Sequence, residues 1–191
     1  MTEEIKIQYR LLEERFVKVA WTHKIHEKQA DLYISKLGRN KTLLAFTTSF
    51  TTTSAVASLF AKFELDWIID ILTALFAVIS TYLTLRYKDN VLEEKANANK
   101  QYAAKCLSLR NAYESLMADI KSERITDMAT ITEKRDKLEQ RAIELSECEL
   151  QPSVTSNAVD LAGKALKEKK ETQTSDEEIR AIVPINLQIL R

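Results

Sequence analysis

The sequence contains very little glycine and proline, with only two residues of each among 191. The 113 residues from Arg39 to Gln151 contain neither. Because glycine and proline are the residues that most often interrupt helices and form turns, a stretch of this length without them predicts an almost entirely helical protein. It also excludes a glycine-rich phosphate-binding loop, since the two glycines, Gly38 and Gly163, are far apart in the chain.

The sequence also lacks an excess of charge of one sign and any cluster of metal ligands. The 28 basic residues balance the 28 acidic ones, so we expect no direct binding of nucleic acid. Cys106 and Cys148 lack CxxC or zinc-type spacing and are interpreted as reduced thiols. No hydrolase or metalloprotease motif occurs, and the carboxylates of segments such as 133–137 alternate with Lys and Arg, as on solvated helix faces. We therefore expect a protein that is not an enzyme and has no cofactor or bound metal.

Two apolar segments lie close together in the chain. Residues 42–60 carry no charge, although nine of these 19 residues are Ser or Thr, and residues 67–85 are strongly apolar with one charge, Asp70. Both approach the roughly 20 residues that a helix needs to cross a bilayer core. Ser and Thr are tolerated there because their hydroxyls bond to helix carbonyls. The short connection predicts a transmembrane helical hairpin; the alternative is a hairpin buried in a soluble bundle.

The charges around these segments predict their orientation. Lys36, Arg39 and Lys41 precede the first segment, and Arg86 and Lys88 follow the second, whereas the connecting loop has more acidic than basic residues. The positive-inside rule therefore places both termini in the cytoplasm. The chain is predicted to be a multi-pass membrane protein, with the lipid bilayer as a partner.

Each apolar segment carries a polar stripe at helical spacing. Such stripes favour close packing between helices, but they also suit the lining of a pore in a homo-oligomer, and an acidic residue in a membrane helix is a functional candidate. Both interpretations stay open. The candidate pore-lining residues are Thr47, Thr51, Ser54 and Ser58 in the first segment and Asp66, Asp70, Thr73, Ser80 and Thr84 in the second. The opposite face of the second segment, expected to meet lipid, contains Ile69, Leu72, Phe76, Ile79 and Leu83.

The N-terminal region has the four-three apolar repeat of a helix that packs along another helix. The residues singled out on this seam are Tyr9, Leu12, Phe16, His23 and His26. The two histidines lie three residues apart, but no third ligand follows at matching spacing, so they are interpreted as packed seam residues rather than zinc ligands. A pH-sensing role is open in principle. Gly38 is expected to end or bend this helix.

An apolar repeat resumes after the second segment, and one helix is predicted from Trp67 to Ile120. Its natural partner is the N-terminal helix. The predicted fold class is therefore an all-α membrane protein, in which a two-helix transmembrane hairpin joins long cytoplasmic helices that form an antiparallel, coiled-coil-like stalk. Residues 1–124 form the two-transmembrane domain, and 125–191 form a C-terminal helical regulatory or docking region. Helices are expected within 125–149 and 154–171, and the apolar residues 182–190 either bind a partner or pack on the bundle.

Several local patterns occur together in residues 1–120. They are Trp21-Thr22, then His26-Glu27-Lys28-Gln29-Ala30, a basic stretch from Lys36 to Lys41, the two apolar segments, and a long charged helix with Tyr102 and Leu107 to Leu109. This arrangement resembles the SLATT domain, a two-transmembrane effector family of bacterial nucleotide-signalling conflict systems. Residues 125–191 lie outside the resemblance.

The resemblance implies a dormant anti-phage effector in the bacterial inner membrane. Such a toxin oligomerises into a pore and permeabilises or depolarises the membrane when triggered, which causes abortive infection. The implied partner is a nucleotide-sensing protein, a second-messenger synthase or a reverse transcriptase system such as a retron. Two alternatives are a membrane-anchored helical scaffold, whose hairpin is only a tether, and a holin-like protein, which does not need the cytoplasmic residues after the hairpin.

Overall fold

Long helices account for most of the structure. The computed structural model describes residues 2–60, 66–87, 91–147 and 151–168. These ranges contain helices and no strand, which confirms the all-α class. The helices are α1 (Glu3–Phe60), α2 (Asp66–Tyr87), α3 (Val91–Lys121), α4 (Met128–Ser146) and α5 (Ser156–Lys167). α1 continues through Gly38, so the predicted end of the helix there is wrong; one glycine costs about 1 kcal/mol relative to alanine, which tertiary packing along a 58-residue helix readily offsets.

The predicted helix from Trp67 to Ile120 corresponds to α2 and α3. Residues 88–90, between them, lie outside the described ranges, so the continuity of this helix stays a prediction. The helices expected within 125–149 and 154–171 are α4 and α5, and residues 182–190 also lie outside the description. No helix in the described part of the chain is both long and apolar enough to cross a membrane.

The chain forms two compact units. Unit 1 comprises Met1–Gln29 and Ala98–Arg191, and unit 2 comprises Ala30–Asn97. In unit 1, α1, α3 and α4 bury a shared apolar cluster, to which Tyr9 and Phe16 add partly buried side chains. The buried members are Ile5, Leu12, Leu109, Tyr113, Leu116, Ile120, Ile131 and Leu138. Burial of this cluster supplies the hydrophobic stabilisation of unit 1.

Polar contacts define the relative direction of α1 and α3 in unit 1. At one level, His26 of α1 hydrogen-bonds Asn99 of α3. At another level, Glu139 of α4 binds both Arg15 of α1, at 3.1 Å, and the Tyr113 hydroxyl of α3, at 3.0 Å. Residue numbers therefore rise along α1 as they fall along α3. The two helices are antiparallel, as expected for the predicted stalk.

A tight turn reverses the chain between α3 and α4. Glu123 in this turn has a φ of 56°, in the left-handed region. The N-cap residue of α4 is Asp127, whose side chain accepts a hydrogen bond of 2.9 Å from the backbone N–H of Thr130. At the other end of α4, the carbonyl of Leu145 accepts from the Tyr102 hydroxyl at 3.3 Å. α4 is therefore antiparallel to α3.

α5 runs antiparallel to α1 in unit 1. Its N-cap residue, Thr155, is hydrogen-bonded to Gln29. Further along α5, Gly163 lies near the ring of Trp21, which precedes Gln29 by about two turns of α1. The buried side chains of α5 are three alanines, and the larger Val159 is exposed.

Candidate functional site

Several threonine hydroxyls in the two apolar segments donate to carbonyls of their own helices, whereas the buried Ser80 hydroxyl has no hydrogen-bond partner among the described residues. Thr47 donates to the carbonyl of Leu44 at 3.0 Å, and Thr51 donates to the carbonyl of Thr47 at 2.8 Å. Thr52, Thr53, Thr81 and Thr84 each donate to the carbonyl four residues earlier. A hydroxyl bonded in this way needs no water as an acceptor, so a threonine-rich helix is compatible with apolar surroundings.

A row of large apolar side chains is exposed along α2 in unit 2. Its members, here called the α2 apolar row, recur every three or four residues: Trp67, Ile71, Leu75, Val78, Tyr82 and Leu85. Val78 is 67% exposed. On α1, Leu43, Phe46 and Phe50 are exposed as well. Contiguous exposed apolar surface of this kind is typical of a site that meets a membrane or a protein partner.

The face of α2 that was expected to meet lipid lies partly inward. Phe76 packs against Phe50 of α1, with ring centroids 4.3 Å apart, and Ile79 and Leu83 are half-buried. Aromatic pairs favour such tilted contacts. Because Phe76 faces α1, the exposed apolar surface of α2 is the neighbouring α2 apolar row rather than the predicted face. Leu72 is exposed, and the side chain of Ile69 lies outside the description.

The candidate pore-lining residues differ in exposure. Thr47 is 2% exposed; Thr51, Thr73 and Ser80 are half-buried, and Asp70 and Thr84 are exposed. The side chains of Ser54, Ser58 and Asp66 lie outside the described residues. Thr47 is thus buried within a single copy of the chain, an arrangement that helix packing produces. Pore lining by the remaining stripe residues stays a prediction.

A buried polar layer crosses unit 1 at His26. The His26 Nδ1 atom lies 2.8 Å from Oδ1 of Asn99, and both residues are buried. Because the amide oxygen only accepts hydrogen bonds, Nδ1 carries the ring hydrogen. The His26 ring also contacts that of Tyr102, with centroids 4.4 Å apart. The polar layer therefore links α1 to α3 with satisfied partners at its centre.

A second polar group lies next to this layer on α1. The buried Lys24 ammonium binds the Glu27 carboxylate at 2.8 Å, and Nε2 of His23 lies 3.9 Å from the same oxygen. The buried Nδ1 atom of His23 has no hydrogen-bond partner. Among the residues that the structure describes, no group of three metal-ligating side chains is assembled.

The pKa of each of the two histidines is lowered. For His26, burial lowers the pKa, and the hydrogen bond that the ring donates to Asn99 opposes this. For His23, burial lowers the pKa most, Glu27 opposes it, and the nearby Arg110 and Lys24 charges lower it further. Both rings are therefore neutral near pH 7.

The sequence patterns did not predict that two polar residues of unit 1, Gln29 and Asn99, are buried. Asn99 lies within the apolar repeat that follows the second segment, and Gln29 belongs to the motif His26-Glu27-Lys28-Gln29-Ala30; both are buried. A sequence signal for the His26–Asn99 pair does exist. It is a polar residue at a seam position of one helix that lies opposite a seam histidine of the partner helix. Leu12, in contrast, is buried in the core cluster on the predicted seam, with Tyr9 and Phe16 packed against that cluster.

Comparison with known proteins identifies the family. No curated protein and no solved structure matches the chain significantly. The family described as "SMODS and SLOG-associating 2TM effector domain family 4" matches residues 9–178. The match confirms the SLATT resemblance, and it includes α4 and α5, so the expectation that the family ends before residue 125 is wrong. The chain therefore belongs to SLATT family 4, the SMODS and SLOG-associating two-transmembrane effector domains.

Proposed function

We propose that this chain is the membrane-active effector of a bacterial anti-phage system. Its segments 42–60 and 67–85 insert into the inner membrane, oligomerise, and permeabilise or depolarise that membrane when triggered. Family membership supports the effector role in anti-phage conflict systems, and the two-transmembrane description of the family supports a site of action at the membrane. The trigger is a nucleotide signal or a partner protein, such as a second-messenger synthase, a nucleotide sensor or a retron reverse transcriptase.

The α2 apolar row is the observation that carries this proposal. Its six large side chains are exposed in a single copy of the chain. Removing one such side chain from water contributes roughly 1.5–3 kcal/mol, so together they favour transfer into lipid strongly. The threonine hydroxyls do not oppose that transfer, since they already donate to backbone carbonyls. Water is a poor environment for this surface, and a bilayer is a good one.

Charged substitutions in the α2 apolar row test membrane insertion. We expect Val78→Asp to reduce retention in carbonate-washed membranes and to reduce depolarisation, because a carboxylate near the middle of a membrane helix costs about 2.5–3.5 kcal/mol on insertion scales. Ile143→Asp is the matched control, since Ile143 of α4 is also an exposed apolar residue, at 45%, but belongs to unit 1. Equal retention of the Val78 variant and wild type would contradict the proposal.

A second pair of variants distinguishes a pore from a tether. Thr51→Leu removes a half-buried hydroxyl of the candidate stripe, and Thr52→Leu removes its exposed neighbour on the same helix. We expect both variants to stay in the membrane and only Thr51→Leu to change dye-reported depolarisation in cells that express the chain with its neighbouring genes. Full activity after replacement of residues 42–85 by an unrelated hairpin would favour the scaffold instead. Lysis by a chain that lacks residues 125–191 would favour a holin.

A further inference from the structure

A buried glutamine fastens the beginning of α5 to α1. The Gln29 side-chain oxygen accepts two hydrogen bonds from Thr155, one from the backbone N–H and one from the hydroxyl, each at 2.8 Å. Gln29 is 1% exposed. Buried hydrogen bonds of this kind fix one docked arrangement, because losing a partner leaves a polar atom unsatisfied away from water.

This fastening replaces the usual capping of a helix. Thr155 occupies the N-cap position of α5, but its side chain makes no capping hydrogen bond. Its hydroxyl donates to Gln29 instead. In α4, by comparison, the N-cap residue Asp127 accepts from the N–H of Thr130. An uncapped helix of 12 residues is close to the lower limit of stability for a helix on its own, so the order of α5 depends on its docking to α1.

The fully buried side chains of α5 are small. Ala158, Ala162 and Ala165 are buried, and a Cβ added at Gly163 would lie 3.5 Å from the ring of Trp21. The Lys167 ammonium lies 5.5 Å from the centroid of the same ring. Because hydrophobic stabilisation scales with the apolar area removed from water, alanines contribute little each. The attachment of α5 therefore depends strongly on the Gln29–Thr155 pair and on Trp21.

We propose that α5 is a detachable clasp on α1, and that its release is the regulatory step that activates the effector. Weakly held helices are the segments that open first in a folded protein, and a trigger that binds the released state more tightly shifts the population toward it. The released state exposes Trp21 and the Gln29 side chain. The statement that release activates the effector rests on the proposed function. Release itself is a property of unit 1 and can be measured without any effector activity.

Trp21 provides the readout of release. The chain contains two tryptophans, so Trp67→Phe leaves Trp21 as the sole tryptophan, which can be excited selectively at about 295 nm, where tyrosine absorbs little. In the full chain purified in detergent, we expect Gln29→Leu and Thr155→Val to increase acrylamide quenching of Trp21 and to speed amide exchange in α5. The opening equilibrium should rise by roughly two- to tenfold for each hydrogen bond lost. Circular dichroism establishes that α1, α3 and α4 remain folded in each variant.

Gly163→Ala tests the clasp in the opposite direction. A Cβ at this position makes an ordinary contact with Trp21, and alanine has a higher helix propensity than glycine, so the opening equilibrium should fall by about fivefold. Gly38→Ala is the matched control, because a Cβ there meets nothing within 4 Å. It provides the same gain in helix propensity within α1 and should leave Trp21 quenching unchanged.

Depolarisation in cells tests the regulatory role. Gln29→Leu should depolarise the membrane without the trigger, and Gly163→Ala should require more of the trigger than wild type. Unchanged Trp21 quenching in Gln29→Leu and Thr155→Val would overturn the clasp. Altered quenching with unaltered trigger dependence would overturn its regulatory role. Absence of depolarisation by the triggered wild-type chain would instead overturn the proposed function, which the quenching measurements do not depend on.

Discussion

At the residue scale, the neutral His26 ring makes the stability of unit 1 depend on pH. Burial lowers its pKa below the ordinary value of 6.5, so the unfolded chain binds a proton in a pH range where the folded chain does not. The free energy of unfolding should therefore fall as the pH decreases from about 7 through 6.5 toward the lowered pKa. His23, whose pKa is also lowered, contributes in the same direction.

Urea denaturation of the full chain at pH 7.5, 6.5 and 5.5 measures this dependence. His26→Gln is the informative variant, because its amide can donate to Asn99 but has no proton to gain in this range. We expect a smaller difference in stability between pH 7.5 and 5.5 for His26→Gln than for wild type. Identical pH dependence in the two proteins would show that His26 does not titrate differently on unfolding.

Two adjacent leucines of α1 test the packing of the core cluster. Leu12 is 0% exposed and belongs to the cluster, whereas Leu11 is 42% exposed. Leu12→Ala should destabilise unit 1 by about 2–5 kcal/mol, because it removes apolar burial and leaves a cavity. Leu11→Ala should change the free energy of unfolding by less than about 1 kcal/mol. Similar losses in both variants, measured by thermal denaturation, would contradict the seam assignment.

At the element scale, helix positions followed from the sequence better than helix faces did. The lack of Gly and Pro between Arg39 and Gln151 predicted helices correctly, because few residues there interrupt a helix. The face of α2 was misjudged, since the Phe50–Phe76 contact depends on two helices at once and no single-helix pattern contains it. In α5 the buried side chains are alanines, which permit close approach of two helices, so residue size does not identify its buried face; Val159 is exposed.

The turn between α3 and α4 holds a residue in an unfavourable conformation. Glu123 adopts a φ of 56°, which is strained for a side chain with a Cβ and free of strain for glycine. Glu123→Gly should therefore raise the free energy of unfolding by about 0.5–1 kcal/mol. Ser122→Gly, at the preceding turn residue, should lower it, because it adds freedom to the unfolded chain without relieving a positive φ. Chemical denaturation should therefore show that the free energy of unfolding changes in opposite directions in the two variants.

At the scale of the whole molecule, the proposed topology places the hairpin loop outside the membrane and both termini inside. In a Cys148→Ser background, Glu64→Cys should react with a membrane-impermeant maleimide in intact cells. Ile143→Cys should react only after the cells are permeabilised. Native Cys106 should stay unlabelled in both cases, since it is buried and burial raises the pKa of its thiol to about 11. Labelling of Ile143→Cys in intact, untriggered cells would contradict this topology.

The candidate site was predictable in part. The seam positions of Leu12 and His26 follow from a repeat within one helix, and the family follows from local motifs in the first two-thirds of the chain. The attachment of α5 did not follow, because Gln29 and Thr155 are 126 positions apart and neither belongs to a periodic pattern. Contacts between polar residues at such separation require the folded structure.

The threonine hydroxyls described in unit 2 have a consequence for ion selectivity. Thr51 and Thr84 each donate their only hydroxyl hydrogen to the backbone, so each presents oxygen lone pairs and no donor to its surroundings. A conducting path lined by such groups attracts cations, and it has no hydroxyl donor to bind anions. In lipid bilayers with a KCl gradient, the triggered effector should therefore show a reversal potential close to that of potassium. Thr51→Val should weaken this preference, and a reversal potential close to that of chloride would show that other groups line the path.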